Sequence, residues 1–116
     1  MKEKISDKVR LEHAIKAIEE IFSFIGTKTY NEFTQDSMLK SACMHQLSII
    51  GDAFANLANR IKQENSSIDW KGFIGLRVKI VHVYFGIDYE IVWNIIKFEL
   101  PRLLKDLKQI SAKLLE

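Results

Sequence analysis

Between Gly75 and Gly86 an otherwise apolar run, Gly75-Leu76-Arg77-Val78-Lys79-Ile80-Val81-His82-Val83-Tyr84-Phe85-Gly86, carries an arginine, a lysine, a histidine and a tyrosine. An imidazole titrates near neutral pH, so His82 can take the proton of a ribose 2′-hydroxyl or give one to a leaving 5′-oxygen. The guanidinium of Arg77 is permanently charged and matches phosphate oxygens with two parallel hydrogen bonds. It is suited to holding a scissile phosphate and stabilising the charge that develops on it. The phenol of Tyr84 can hydrogen-bond the same phosphate. The nucleophile would lie on the substrate, so this chemistry needs no metal. A lone helical histidine is more often solvated or packed, and a tyrosine at a helix end usually packs with its hydroxyl in water. The trio therefore gains meaning only from its setting.

That setting is a helix. Asp69 is a cap, and the run from Trp70 to about Val83 reads as helical, weakened by Gly72 and Gly75 and broken at Gly86. Arg77 and His82 then lie ~140° apart around the axis and ~7.5 Å apart along it, while Arg77 and Tyr84 share a face. A long arginine can still reach towards His82 if the helix loosens before Gly86.

Three or four further helices, depending on whether the chain kinks or restarts at Pro101, must position this one. Leu11, Ile15, Ile18, Phe22 and Ile25 form a stripe at spacings of 4, 3, 4 and 3, with Ser6 or Asp7 as cap and Gly26-Thr27 as the stop. Cys43, Leu47, Ile50, Phe54, Leu57 and Ile61 continue the same rhythm in a second, longer helix. It starts at Thr34 or Asp36 and fades over Gln63–Ser67; Gly51 within it reads as a close-packing position. Asp88 caps a helix bearing Tyr89, Val92, Trp93 and Ile96. Pro101 requires a kink or restart near Leu100, and Leu100, Leu103, Leu104, Leu107, Ile110 and Leu114 carry the last helix. The expectation is one all-α domain over residues 1–116, an antiparallel bundle of four to five helices.

Composition narrows the function classes. Of 116 residues, 47% are hydrophobic and 28% charged, with one proline and five glycines, which favours long helices over turn-rich strands. The net charge of +2 permits a phosphate-bearing partner without demanding one, so a nucleic-acid site must come from local clustering or from two chains. Cys43 has no second cysteine to pair with, the first ten residues lack a signal-peptide core, and no apolar run approaches the ~20 residues of a membrane span. A cytoplasmic protein is expected, without contact with a membrane.

Arg77-x4-His82-x-Tyr84 resembles the R-x4-H-x-Y signature of the HepT toxins within the HEPN superfamily. The surroundings share the likeness: Trp70 upstream, then Ile87-Asp88, Val92-Trp93, Ile95-Ile96 and Leu100-Pro101. Ile49-Ile50-Gly51-Asp52-Ala53 resembles the family's I-G-E-A stretch, and Asp7-Lys8-Val9-Arg10-Leu11 its N-terminal segment. The resemblance implies a HEPN-type helical bundle that forms a homodimer, the motifs of two subunits lining one cleft. It implies a metal-independent endoribonuclease without cofactor, in which Arg77 and His82 promote 2′-hydroxyl attack on the adjacent phosphate of RNA. It further implies a toxin–antitoxin system whose antitoxin is a minimal (MNT-type) nucleotidyltransferase that transfers AMP to Tyr84. A bulky anion there would block RNA by sterics and like charge. One departure stands out: Val78 occupies the place after the arginine where the family usually has a polar residue, often asparagine.

Other polar residues read more plainly. His13, His45 and His82 form no metal-ligand spacing. His13 and His45 lie off the apolar stripes and are expected in solvent, and Cys43 is expected to pack inertly in the core. Asp52 either leans into the cleft or has a simple capping or surface role. Lys105, Lys108 and Lys113 read as a solvated face that could also guide RNA or an acidic partner. A competing reading is a non-catalytic helical adaptor that binds a nucleotidyltransferase.

Overall fold

Ser6 opens the first helix by accepting a hydrogen bond from the Val9 amide at 3.1 Å. In the computed structural model, which describes residues 5–82 and 86–114 and only the backbone of residues 77–82, this helix is α1 (Asp7–Ile25). Gly26 closes it with φ +52°, a conformation glycine adopts without steric cost, and its amide donates to the Phe22 carbonyl at 2.9 Å.

A short helix that the apolar pattern does not announce follows, α2 (Tyr30–Gln35). Thr29 and Glu32 form a reciprocal cap: the Glu32 amide donates to Thr29 Oγ1 at 3.1 Å and the Thr29 amide to Glu32 Oε1 at 2.9 Å. Its single buried side chain, Phe33, is fully enclosed. Asp36, the second of the two expected starts, then caps α3 (Ser37–Ala55) through the Leu39 amide at 3.0 Å.

The long second helix of the sequence reading is two helices. α3 ends at Ala55, and α4 (Asn59–Glu64) carries Ile61 separately. Leu57 and Ile61 are both buried, so the apolar rhythm persists although the backbone turns at 56–58. The turn is held from outside. The Asp7 carboxylate accepts from the Ala58 amide at 3.1 Å, and Lys62 Nζ donates to the Phe54 carbonyl at 2.9 Å.

Asp69 starts α5 (Trp70–His82) by accepting from the Gly72 amide at 3.0 Å. The expected end near Val83 lies outside the described residues. Asp88 caps α6 (Tyr89–Asn94) through Glu90 at 3.0 Å, as read from the sequence. A π-helical turn at Ile95–Glu99 leads into α7 (Leu100–Lys113). It is the interruption Pro101 demanded: proline has no amide for the carbonyl one turn back, and the wider turn takes up the mismatch.

These helices form the expected all-helical bundle, with no strand among the described residues. α3 is central and packs along both α1 and α5. The Asp7–Ala58 bond sets the start of α1 at the end of α3, and Phe54 near the end of α3 meets Trp70 and Phe73 at the start of α5. Both neighbours therefore run antiparallel to α3. Lys8 Nζ reaches the carbonyls of Ser111 at 3.1 Å and Leu114 at 3.4 Å, tying the start of α1 to the end of α7. Leu11, Ile18, Leu47, Ile50, Phe54, Ile96 and Leu107 fill the core, and Gly51 is buried within α3.

Candidate active site

The helix bearing the motif is anchored at its first turn. The Trp70 indole N–H donates to the Asn65 carbonyl at 3.1 Å, and its ring stands edge-on to Phe54 with centroids 4.7 Å apart. Phe73 meets the same ring at 5.8 Å. α5 then carries Arg77 and His82 along α3 towards the beginning of that helix, His82 lying ~18 Å beyond Trp70. Lys40 Nζ stands 4.7 Å from the centre of the Tyr89 ring, so the start of α6 also abuts the start of α3. The motif end of α5 thus lies at the end of the bundle opposite the Phe54–Trp70 anchor.

Helical register separates the two catalytic candidates. The Cα of Arg77 lies two turns below that of Trp70, on the stripe that also holds buried Phe73. The Cα of His82 lies below Gly75 and Lys71, which are both exposed. The structure therefore places both residues on one helix, ~140° apart as expected. Tyr84 lies outside the described residues.

The remaining candidates settle as follows. Asp52 is exposed on α3, two residues before the Phe54 anchor and so towards the end of the bundle away from His82; its backbone carbonyl receives the Asn56 side-chain amide at 2.8 Å. It is a surface group. His13 and His45 are exposed, as expected. Cys43 is fully buried, and burial pushes its thiol up to about 11, so no reactive thiolate forms near neutral pH. Lys105, Lys108 and Lys113 are exposed on α7, where Lys108 meets Glu19 at 3.4 Å. Among the described residues no group of three or more His, Cys, Asp or Glu could hold a metal ion, and no helix is long and apolar enough to cross a membrane.

Two features escaped the sequence reading. A groove of ≈ 550 Å³ runs between α4 and α5, with Ile68, Trp70 and Ile74 as its floor and Asn59, Gln63 and Lys71 on its rim. Its lining comes from two segments that no single periodicity joins. On α6 and the π-helical turn, Ile91 and Phe98 stand exposed at 57% and 73%. Their seven-residue spacing was legible, but it fell outside the stripe that marks the core.

Residues 14–110 match the family model described as "Ribonuclease HepT-like". A "Putative RNase" of Caldanaerobacter subterraneus subsp. tengcongensis is 35% identical over 103 residues, spanning 89% of this chain and 92% of that protein. Another of the same description from Methanocaldococcus jannaschii is 33% identical over 96 residues, 83% of this chain and 79% of its own length. A "Probable ribonuclease HepT" of Thermococcus cleftensis is 34% identical over 100 residues, 86% of this chain and 91% of that protein. No solved structure gives a match. The chain belongs to the HepT-like family of the HEPN superfamily.

Proposed function

We propose that this chain is a metal-independent endoribonuclease, the toxin of a type II-like toxin–antitoxin pair. The observation that carries the reading is the placement of Arg77 and His82 on one helix, α5, in a chain of the HepT-like family whose relatives bear ribonuclease names. Neutral His82 takes the 2′-hydroxyl proton, O2′ attacks phosphorus, and the P–O5′ bond breaks. The products are a 2′,3′-cyclic phosphate and a 5′-hydroxyl, whose proton comes from an imidazolium. Arg77 neutralises the phosphate as charge builds.

The working unit is a homodimer whose two motifs line one cleft, and the exposed Ile91 and Phe98 beyond the motif support a second copy as partner. The nucleotidyltransferase antitoxin silences the site by joining the Tyr84 oxygen to the α-phosphate of ATP, with pyrophosphate leaving. The protein acts in the cytoplasm.

Val78 favours a second reading, in which the bundle binds the nucleotidyltransferase without cutting RNA. Cleavage of RNA in excess chelator by the purified, unmodified chain separates the two. His82→Ala should slow cleavage by about 10²–10⁴ and Arg77→Ala by about 10²–10³. Equal rates in all three proteins, or dependence on added metal, would overturn the ribonuclease reading. Intact mass after co-expression with the nucleotidyltransferase should show AMP-sized additions that a Tyr84→Phe chain lacks.

A further inference from the structure

Among the described residues, nothing requires a glycine at position 75. Glycine weakens a helix interior. At Gly72, one turn earlier, an added Cβ would strike the Asp69 carboxylate that caps α5, so a bare backbone protects the cap. At Gly75 an added Cβ meets nothing within 4 Å among the described residues, and the position is exposed. Bare backbone on an open helix face suits the close approach of a ligand.

The register says which ligand. Lys71, Gly75 and His82 share one face of α5, with Gly75 ~6 Å from Lys71 and ~10.5 Å from His82 along the axis. Lys71 also stands on the rim of the ≈ 550 Å³ groove. The floor there is apolar, from Ile68, Trp70 and half-buried Ile74, and the exposed amides of Asn59 and Gln63 border it. An apolar floor takes the face of an unstacked base, primary amides match base edges, and an ammonium takes a phosphate. The one carboxylate in the lining, Asp69, is engaged by the Gly72 amide. Lys62, also in the lining, donates to the Phe54 carbonyl at 2.9 Å beside the groove.

We propose that the α4–α5 groove and the bare face at Gly75 form a track for the single-stranded RNA flanking the bond cut at His82. The proposal rests on the ribonuclease reading and adds the substrate's form: an unpaired strand extending several nucleotides from the scissile phosphate towards the start of α5.

Binding of a fluorescent 2′-O-methyl decanucleotide, which cannot be cut, tests the track on the full chain across a range of salt concentrations. A 2′-O-methyl trinucleotide serves as the short comparison, and cleavage of the ordinary trinucleotide is followed separately. Removing one phosphate contact from a single strand lowers the salt slope by about 0.7, which at 0.1 M salt weakens binding about fivefold. Lys71→Gln should show both changes with the decanucleotide and neither with the trinucleotide. Gly75→Gln should raise the melting temperature, because a helix former replaces glycine, and yet weaken decanucleotide binding. Unchanged affinity and slope in both variants would overturn the track while trinucleotide cleavage still upheld the ribonuclease. If the wild-type chain cuts nothing but loses decanucleotide affinity on Lys71→Gln, the ribonuclease reading fails and takes the cut bond with it, while the groove's binding of single-stranded RNA stands. If that substitution instead releases the co-purified nucleotidyltransferase without affecting RNA binding, the groove belongs to a protein and the proposal is wrong.

Discussion

Phe54→Ala removes the ring on which the motif helix is seated. Phe54 is fully buried, with the Trp70 ring edge-on at 4.7 Å and Phe73 at 5.8 Å. Truncation of a buried phenylalanine costs about 3–5 kcal/mol, and two aromatic neighbours with no replacement contact place this one near ~4 kcal/mol. Unfolding entropy near ~2.1 cal/mol/K per residue gives ~0.24 kcal/mol/K for a chain of this length, so the melting temperature should fall by ~16 °C. A domain with ~5–15 kcal/mol of stability remains mostly folded at 25 °C after such a loss. Circular dichroism melts at one fixed protein concentration measure the shift, since self-association would otherwise stabilise the folded form. Met38→Ala, at a position 84% exposed, is the control and should move stability by less than ~0.5 kcal/mol. A fall of under ~4 °C for Phe54→Ala would refute the α3–α5 seam as the element that holds the motif helix in place.

Two further outcomes follow from the caps and the buried thiol. The Thr29 amide and hydroxyl hold the Glu32 carboxyl below its ordinary value, so Glu32 adds stability above its unfolded range near 4.5 and loses it as pH falls through the folded value. Glu32→Gln should flatten that acid limb in melts across pH, and Thr29→Ala should cost about 1 kcal/mol at neutral pH. Cys43 stays protonated in the fold until about 11, whereas the unfolded thiol ionises near 9.0. Stability should therefore fall between those two values, Cys43→Ser should remove that alkaline limb, and a thiol reagent at neutral pH should react only as fast as the chain opens.

The helices legible in the sequence are those whose burial repeats within one element. α1 shows itself through Leu11, Ile18 and Ile25, all buried, between a serine cap and a glycine stop. α2 does not, because Phe33 is its one buried side chain and a single apolar residue has no period. The break between α3 and α4 is hidden for the opposite reason. Leu57 and Ile61 stay in phase with Phe54 after the chain has turned, so periodicity reports burial while the turn is fixed by Asp7 and Lys62. Pro101 announced an interruption without its kind; the π-helical turn became visible only in the backbone.

The site divides along the same line. Arg77 and His82 were legible because their chemical types are out of place in an apolar run, and a helix fixes their separation from sequence alone. What those spacings could not supply is the direction in which each position faces, since that depends on where α3 lies. Once Phe54 pins Trp70 and Phe73, the buried side of α5 is set, and exposed Lys71 and Gly75 mark its outward side. In helical register the Cα of Val78 lies one turn before that of His82. The resemblance leads one to expect a polar group at this position, one helical turn before the histidine, and the sequence has a valine there. Under the proposed function, a phosphate contact from that position would have to be replaced by Arg77, by Tyr84 or by a second copy of the chain. If the chain binds RNA as proposed, the departure at Val78 bears on how the strand is held, and the salt dependence of that binding is the property in which it should show.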